Sequence, residues 1–412
     1  MKTRLFTWLA VPALLLCMYS CGETVEIDQD TPPPVSDKTP GKDFFYKGTT
    51  MSFASFLQDF GLKYRENGQV TDPYKSVANH GGNCVRLQLD CLPFDEYKGV
   101  KIDWQATRRV IADAKKARAQ GLQIILTLKP DYDKFTSVPV DHNNVPPTWA
   151  SLNETQLGKT LHDWVYGELV ALAREGVYPA IVAVGNEVNL GFLKNRNVVD
   201  NSRTGRLLAY GFQAVRDYAE EYNPACLAAL HIADPSRAEY AVEAIEAAGG
   251  GDYDVLALSY YPGKNIGHSL PGGNFKTFSK KFSKPIMVLE TAHTFTTGTV
   301  NGKWMGDYCD NSYNYPDWDT YNNEVNYTPA MARAWLRALA QDVKDGGGLG
   351  LVTWGTESLP DELEGKETGH GRGVYTYPAD WAYGSTWENN SYWDFTNQNN
   401  LHEGIDWMKD IQ

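Results

Sequence analysis

The chain has 412 residues and a formal net charge of −13, and is 42% hydrophobic and 22% charged. That is enough apolar chain for a large core, while the acidity excludes the basic face that phosphate contact needs, so no nucleic-acid partner is expected. A polyanionic ligand is equally disfavoured, whereas 24 Tyr and 12 Trp suit stacking on neutral sugars, although most such rings serve a core.

Lys2 and Arg4 precede an apolar run from Leu5 to Met18, too short for a membrane span and laid out like a signal peptide. It ends Met18-Tyr19-Ser20-Cys21, which resembles a bacterial lipoprotein signal. On that resemblance, residues 1–21 are a signal ending at a lipidated Cys21, and the protein is an outer-membrane or cell-surface lipoprotein. An ordinary signal peptide cut nearby is the alternative. Residues 22–43 (GETVEIDQDTPPPVSDKTPGKD) are rich in proline, acids and small polar groups, the composition of a flexible tether. From 44 to 412 no second linker and no solenoid repeat interrupts the chain, so one domain is expected there.

Within that domain, strand-like apolar runs occupy 83–89, 122–128, 180–186, 226–231, 255–260, 285–290 and 349–354, with a weaker one at 49–53. Helical patterns lie between most of them, at 104–120, 157–175, 204–221 and 330–345. Alternating strands and helices give a parallel sheet, and eight such strands over ~250 residues or more predict a (β/α)8 TIM barrel. A doubly wound sheet shows a similar alternation. The barrel is favoured because several runs end in Asp90, Asn186-Glu187, His231, Tyr260, Glu290 or Trp354, and in a barrel those ends converge on one site. Apart from Cys17 and Cys21, the cysteines are Cys84, Cys91, Cys226 and Cys309, too few for a disulfide scaffold. No CxxC or HExxH motif signals zinc, and no metal ligands are assigned.

Glu187 and Glu290 each follow a strongly apolar strand, and strands four and seven would bring them across one barrel mouth. A carboxylate at such a place is costly unless partnered or used. Glycoside hydrolysis uses two of them, one to protonate the leaving oxygen and one to attack the anomeric carbon or activate water. Either residue alone is as readily a helix cap or a surface ion pair.

Several segments together resemble glycoside hydrolase family 53, the endo-β-1,4-galactanases, within the clan of retaining TIM-barrel glycosidases. They are Tyr46-Lys47-Gly48 with Met51-Ser52, Asn67-Gly68, residues 81–87 (GGNCVRL), 184–191 (VGNEVNLG), 258–262 (LSYYP), 289–292 (LETA), and 384–389 (GSTWEN) followed by Trp393-Asp394-Phe395. The resemblance implies a retaining endo-hydrolase of β-1,4-galactan, including the type I arabinogalactan side chains of pectin. Glu187 would be the acid/base and Glu290 the nucleophile. Asn186 would bond the sugar 2-hydroxyl, and Arg86 and Tyr260 would hold Glu290 ionised and aimed. His231 would sit near Glu187, Trp354 would floor the cleavage subsite, and Trp387 would join the substrate-binding residues. On the residues alone, Arg86 is equally a structural salt bridge, His231 a satisfied core histidine and Trp354 plain core.

The chain departs from the family where glycan is contacted. Phe192-Leu193-Lys194-Asn195 stands where a tryptophan is usual, Leu128-Lys129-Pro130-Asp131 replaces an aromatic, histidine-containing segment, and Thr50 replaces an aspartate. No cofactor is expected for catalysis. Many members bind a structural calcium after strand seven, but here Asp307, Asp310 and Asn311, with Ser391 and Asp394 downstream, match the ligand spacing poorly. The expected partners are a neutral β-galactan and a lipid surface, with the protein itself a monomer. The competing readings are a TIM-barrel enzyme for another β-glycan, a non-catalytic glycan-binding lipoprotein, and a solute-binding lipoprotein, which needs two lobes with a hinge.

Overall fold

The computed structural model describes residues 44–59, 61–91, 96–97, 100–101, 105–134, 141–194, 198–233, 235–261, 275–298, 327–359 and 388–412. Cys21, the tether, Asp307, Cys309, Asp310, Asn311 and Trp387 lie outside the described residues.

Eight parallel strands close a barrel: β1 (Tyr46–Thr50), β2 (Cys84–Asp90), β3 (Gln123–Lys129), β4 (Ile181–Val184), β5 (Leu227–Ala233), β6 (Val255–Ser259), β7 (Ile286–Glu290) and β8 (Gly350–Thr353). Each pairs with the next in chain order, and β8 pairs with β1 to seal the ring. This is the expected (β/α)8 architecture. Its strands are near-continuous apolar runs because both faces are buried. Val85, Leu87 and Leu89, like Ile124, Leu126 and Leu128, pack outward against helices. Cys84, Ile125, Ala183, Ala257 and Met287 alternate with such residues and fill the barrel interior.

The first strand runs Tyr46–Thr50 rather than 49–53. Its weak apolar signal has a steric cause: a Cβ on Gly48 would come within 2.2 Å of Cys84 O, so the close approach of β1 to β2 requires a glycine there. The outer layer comprises α1 (Ala54–Asp59), α2 (Pro73–Asn79), α3 (Thr107–Ala119), α4 (Glu154–Arg174), α5 (Asn201–Glu221), α6 (Pro235–Ala247), α7 (Phe275–Phe282) and α8 (Pro329–Asp345). Their starts are chemically marked. Asn153 and Gln156 form a capping box at α4, Asp200 caps α5, and Thr328 caps α8 ahead of Pro329.

Residues 388–412 pack beside the β8–β1 seam. Trp393 and Trp407 are fully buried, Tyr64 meets Trp393 edge-on at 4.7 Å, and Trp407 Nε1 donates to Tyr392 Oη at 2.7 Å. Near the chain end, Lys47 Nζ donates to Ile411 O at 2.6 Å, and Arg333 grips both carboxyl oxygens of Asp410 at 2.8 Å.

Candidate active site

The C-terminal strand ends bring one polar network together. Inward positions on β2 are Cys84, Arg86, Gln88 and Asp90, because the outward ones are Val85, Leu87 and Leu89. Arg86 is fully buried, and its guanidinium is committed in several directions. Nη1 donates to Glu290 Oε2 at 2.9 Å, Nη2 to Asn186 Oδ1 at 2.6 Å, and Nε to Thr127 Oγ1 at 3.0 Å. A buried cation needs such pairing.

Glu290 turns inward through a register shift. Leu258 pairs with Val288, but Ser259 pairs with Glu290, so Leu289 is an extra residue on β7. The bulge reverses the alternation at the strand end. Both oxygens of the Glu290 carboxylate are then held, Oε2 by Arg86 and Oε1 by the Tyr261 hydroxyl at 3.1 Å.

Asn186 and Glu187 follow β4 through unusual backbone. Gly185 has φ 86° and Glu187 has φ 48°, both in the left-handed region. Left-handed backbone on either side of Asn186 breaks the alternation of the strand, so that the Asn186 side chain turns to Arg86. With its Oδ1 taken by Arg86, Asn186 presents its amide NH2 as a donor. Glu187 is linked through its backbone to His231, its N–H donating to Nδ1 at 3.4 Å. An N–H can only donate, so Nδ1 accepts and His231 carries its proton on Nε2, which meets Ser259 Oγ at 3.0 Å. Burial, reinforced by the Arg86 charge, drives the His231 pKa well below its ordinary value, so this imidazole is neutral.

The structure therefore brings Arg86, Asn186, Glu187, His231 and Glu290 to one place. Trp354 follows β8, half-buried, with the Arg86 guanidinium carbon 5.7 Å from its ring centroid and Phe53 edge-on at 6.1 Å. Tyr260 occupies a different position from the one expected. The hydroxyl that reaches Glu290 belongs to Tyr261. The Tyr260 ring packs edge-on against Phe275 at 5.3 Å, and it meets Glu290 through the backbone, its N–H donating to Glu290 O at 2.8 Å. Inward residues on β6 are Val255, Ala257 and Ser259, so the next inward position is 261. Thr127, Ser259 and Tyr261 are the members of the network that sequence reasoning missed, and the period-two pattern was the available signal.

Ser391 and Asp394 are engaged locally. Ser391 Oγ donates to Thr356 O and accepts from Trp393 N, while Asp394 Oδ1 accepts from Thr396 N and Oγ1. The other residues considered for calcium fall outside the described ones.

A family model described as glycosyl hydrolase family 53 matches residues 46–407. The chain is 28% identical over 376 residues to an arabinogalactan endo-β-1,4-galactanase of Cellvibrio japonicus, covering 89% of this chain and 90% of that protein. Its fold is similar to the family 53 catalytic domain of Ignisphaera aggregans, with a TM-score of 0.66 and 23% identity, covering 92% of this chain and 98% of that one. A fungal β-1,4-galactanase structure gives a TM-score of 0.66 at 19% identity, covering 89% and 100%.

Proposed function

Because the chain belongs to glycosyl hydrolase family 53 and is a glycoside hydrolase, we propose that it cleaves internal β-1,4-galactosidic bonds of neutral galactan with retention, including those in type I arabinogalactan side chains. One observation carries the assignment of roles: Arg86 and Tyr261 fix both oxygens of Glu290, while the same Arg86 holds Asn186, the neighbour of Glu187. A carboxylate aimed by a cation and a hydroxyl suits a nucleophile. The galactan assignment draws on the Cellvibrio japonicus relative, whose name specifies that substrate.

In the first step a Glu290 oxygen attacks the anomeric carbon, the glycosidic C–O bond breaks, and Glu187 gives its proton to the leaving oxygen. This leaves a glycosyl ester on Glu290 and a carboxylate on Glu187. In the second step Glu187 takes a proton from water, whose oxygen attacks the same carbon and releases Glu290. Two inversions return the β configuration, a route that requires carboxyl groups about 5–5.5 Å apart. In this reading the Asn186 amide donates to the 2-hydroxyl, a bond that strengthens as charge develops on the ring. His231, being neutral, orients the Glu187 backbone without adding charge.

The test is hydrolysis of a panel of galactan, mannan and xylan, with product sizing and NMR of the first product formed. Galactan cleaved to mixed oligosaccharides of initial β configuration is expected. Cleavage of another glycan alone would transfer the reading to that glycan, and an initial α product would overturn the double displacement.

The anchor is proposed on the sequence alone: Cys21 is lipidated, and the enzyme works as a monomer at the outer surface of a bacterial membrane. Mass spectrometry of the mature N-terminus should find a diacylglyceryl cysteine at position 21. An unmodified N-terminus elsewhere would refute it.

A further inference from the structure

The peptide groups of β5 alternate between its two neighbours. Leu227 N–H donates to Ala180 O on the β4 side at 3.0 Å, and Ala228 O accepts from Asp254 N on the β6 side at 2.8 Å. Odd-numbered residues of β5 therefore face β4. The β4–β5 register nevertheless ends with Ala183 opposite Ala229, because the chain leaves β4 through the left-handed Gly185. Ala233, further along β5, faces a strand that has turned away. Its N–H donates to Asn189 Oδ1 and its O accepts from Asn189 Nδ2, both at 2.8 Å. One buried side-chain amide thus takes the place of the missing peptide group. Pairing with a backbone donor and a backbone acceptor also fixes which way that amide points.

Asn189 belongs to the short turn Val188–Leu190, directly after Glu187. The turn closes on Glu187 itself, with Leu190 N donating to Glu187 O at 2.9 Å. On its other side, the Glu187 N–H meets His231 Nδ1. β5 therefore grips this segment twice, through His231 at Glu187 and through Ala233 at Asn189. The first contact is long at 3.4 Å, whereas the second is a pair of 2.8 Å bonds to one planar amide, and is the firmer tie. Glu187 needs such a tie. Its φ of 48° is strained for a residue with a side chain, and backbone of that kind persists only where its surroundings hold it.

We infer that Asn189 is a positioning residue for the acid/base: standing in for a strand peptide, it holds the Glu187 turn against β5 and so sets where the proton is delivered. The inference rests on the reading of Glu187 as the acid. A displaced acid costs most where the leaving group most needs a proton, whereas a general loosening of the barrel costs the same for every leaving group. Wild type, Asn189→Ala and Glu187→Ala are therefore compared by kcat/KM on two aryl β-1,4-galacto-oligosaccharides. One releases phenol, which needs protonation, and the other dinitrophenol, which does not. Asn189→Ala should lose about 10- to 100-fold on the phenyl glycoside and less than about three-fold on the dinitrophenyl one. Asn189→Gln, whose amide stands one carbon further out, should discriminate in the same direction, and supplies the reading if the alanine variant does not fold. Equal losses on both glycosides, or no loss on either, with Tm values confirming folded protein, would overturn the inference while a discriminating Glu187→Ala leaves the acid reading intact. Equal losses in Glu187→Ala would overturn the acid reading and the inference with it. If wild type cuts neither galactoside, the substrate reading fails by itself, and the same two leaving groups are placed on whichever panel glycan it cuts.

Discussion

At Glu290 two neighbouring tyrosines have been given separate tasks. Tyr261 donates to the carboxylate, whereas Tyr260 packs on Phe275 and contributes its backbone N–H. Tyr261→Phe removes a hydrogen bond to a charged group and should lower kcat about 10- to 100-fold. Tyr260→Phe should keep kcat near wild type, and steady-state kinetics showing the larger loss in Tyr260→Phe would reverse the assignment. Glu290→Ala should abolish nearly all turnover, while Glu187→Ala should recover on aryl glycosides whose leaving groups need little protonation. The sequence marked both glutamates because a carboxylate after an apolar strand stands out. It did not separate Tyr260 from Tyr261, since Val255–Leu258 is apolar on both faces and Ser259 is the one polar residue of the strand that marks the inward side.

Among the elements, the exit of β4 and the bulge in β7 do most to aim the site. A Cβ on Gly185 would lie 2.5 Å from Val188 Cγ1 and 2.8 Å from Phe192 Cε2, and its φ of 86° is strained for any side chain. Gly185→Ala should therefore shift Asn186 and Glu187, costing about 1–3 kcal/mol of stability and at least about ten-fold in kcat. A variant with wild-type Tm and kcat would show that the turn tolerates a methyl group. Seven of the strands were legible because doubly buried strands are apolar runs, β1 was marked only weakly and out of place, and α3, α4, α5 and α8 were legible because they are long and periodic. The short helices α1, α2 and α7 gave too few turns for a pattern. The β7 bulge was invisible because one additional Leu289 leaves no trace in an apolar run.

For the molecule as a whole, buried histidines and buried acids set opposing pH dependences. Burial pushes His293 and His402 down to about 4, and His231 falls with them. The unfolded chain takes up protons there that the folded chain refuses, so stability declines as pH drops below the ordinary histidine value of 6.5. Burial pushes Asp113 up to about 6, Glu168 up to about 7 and Glu357 up to about 8. The folded chain keeps protons that the unfolded chain releases, so these groups reduce stability as pH rises from ordinary carboxyl values to their own. Between about pH 4.5 and 6.5 the two slopes oppose each other, and above that range the glutamates act without the histidines. Tm should therefore fall from pH 6.5 to 8, and Glu357→Gln should remove a slope of up to about 1.4 kcal/mol per pH unit. Calorimetry at pH 5 and 8 showing the same decline in wild type and variant would exclude Glu357 as its source. Both ends of the described chain also meet at the base of the barrel, where Lys47 near the start of β1 holds Ile411. The reacting groups stand at the opposite pole. Tension applied at Phe44 or Gln412 would therefore enter the barrel through its base, at the pole opposite Arg86 and Glu290.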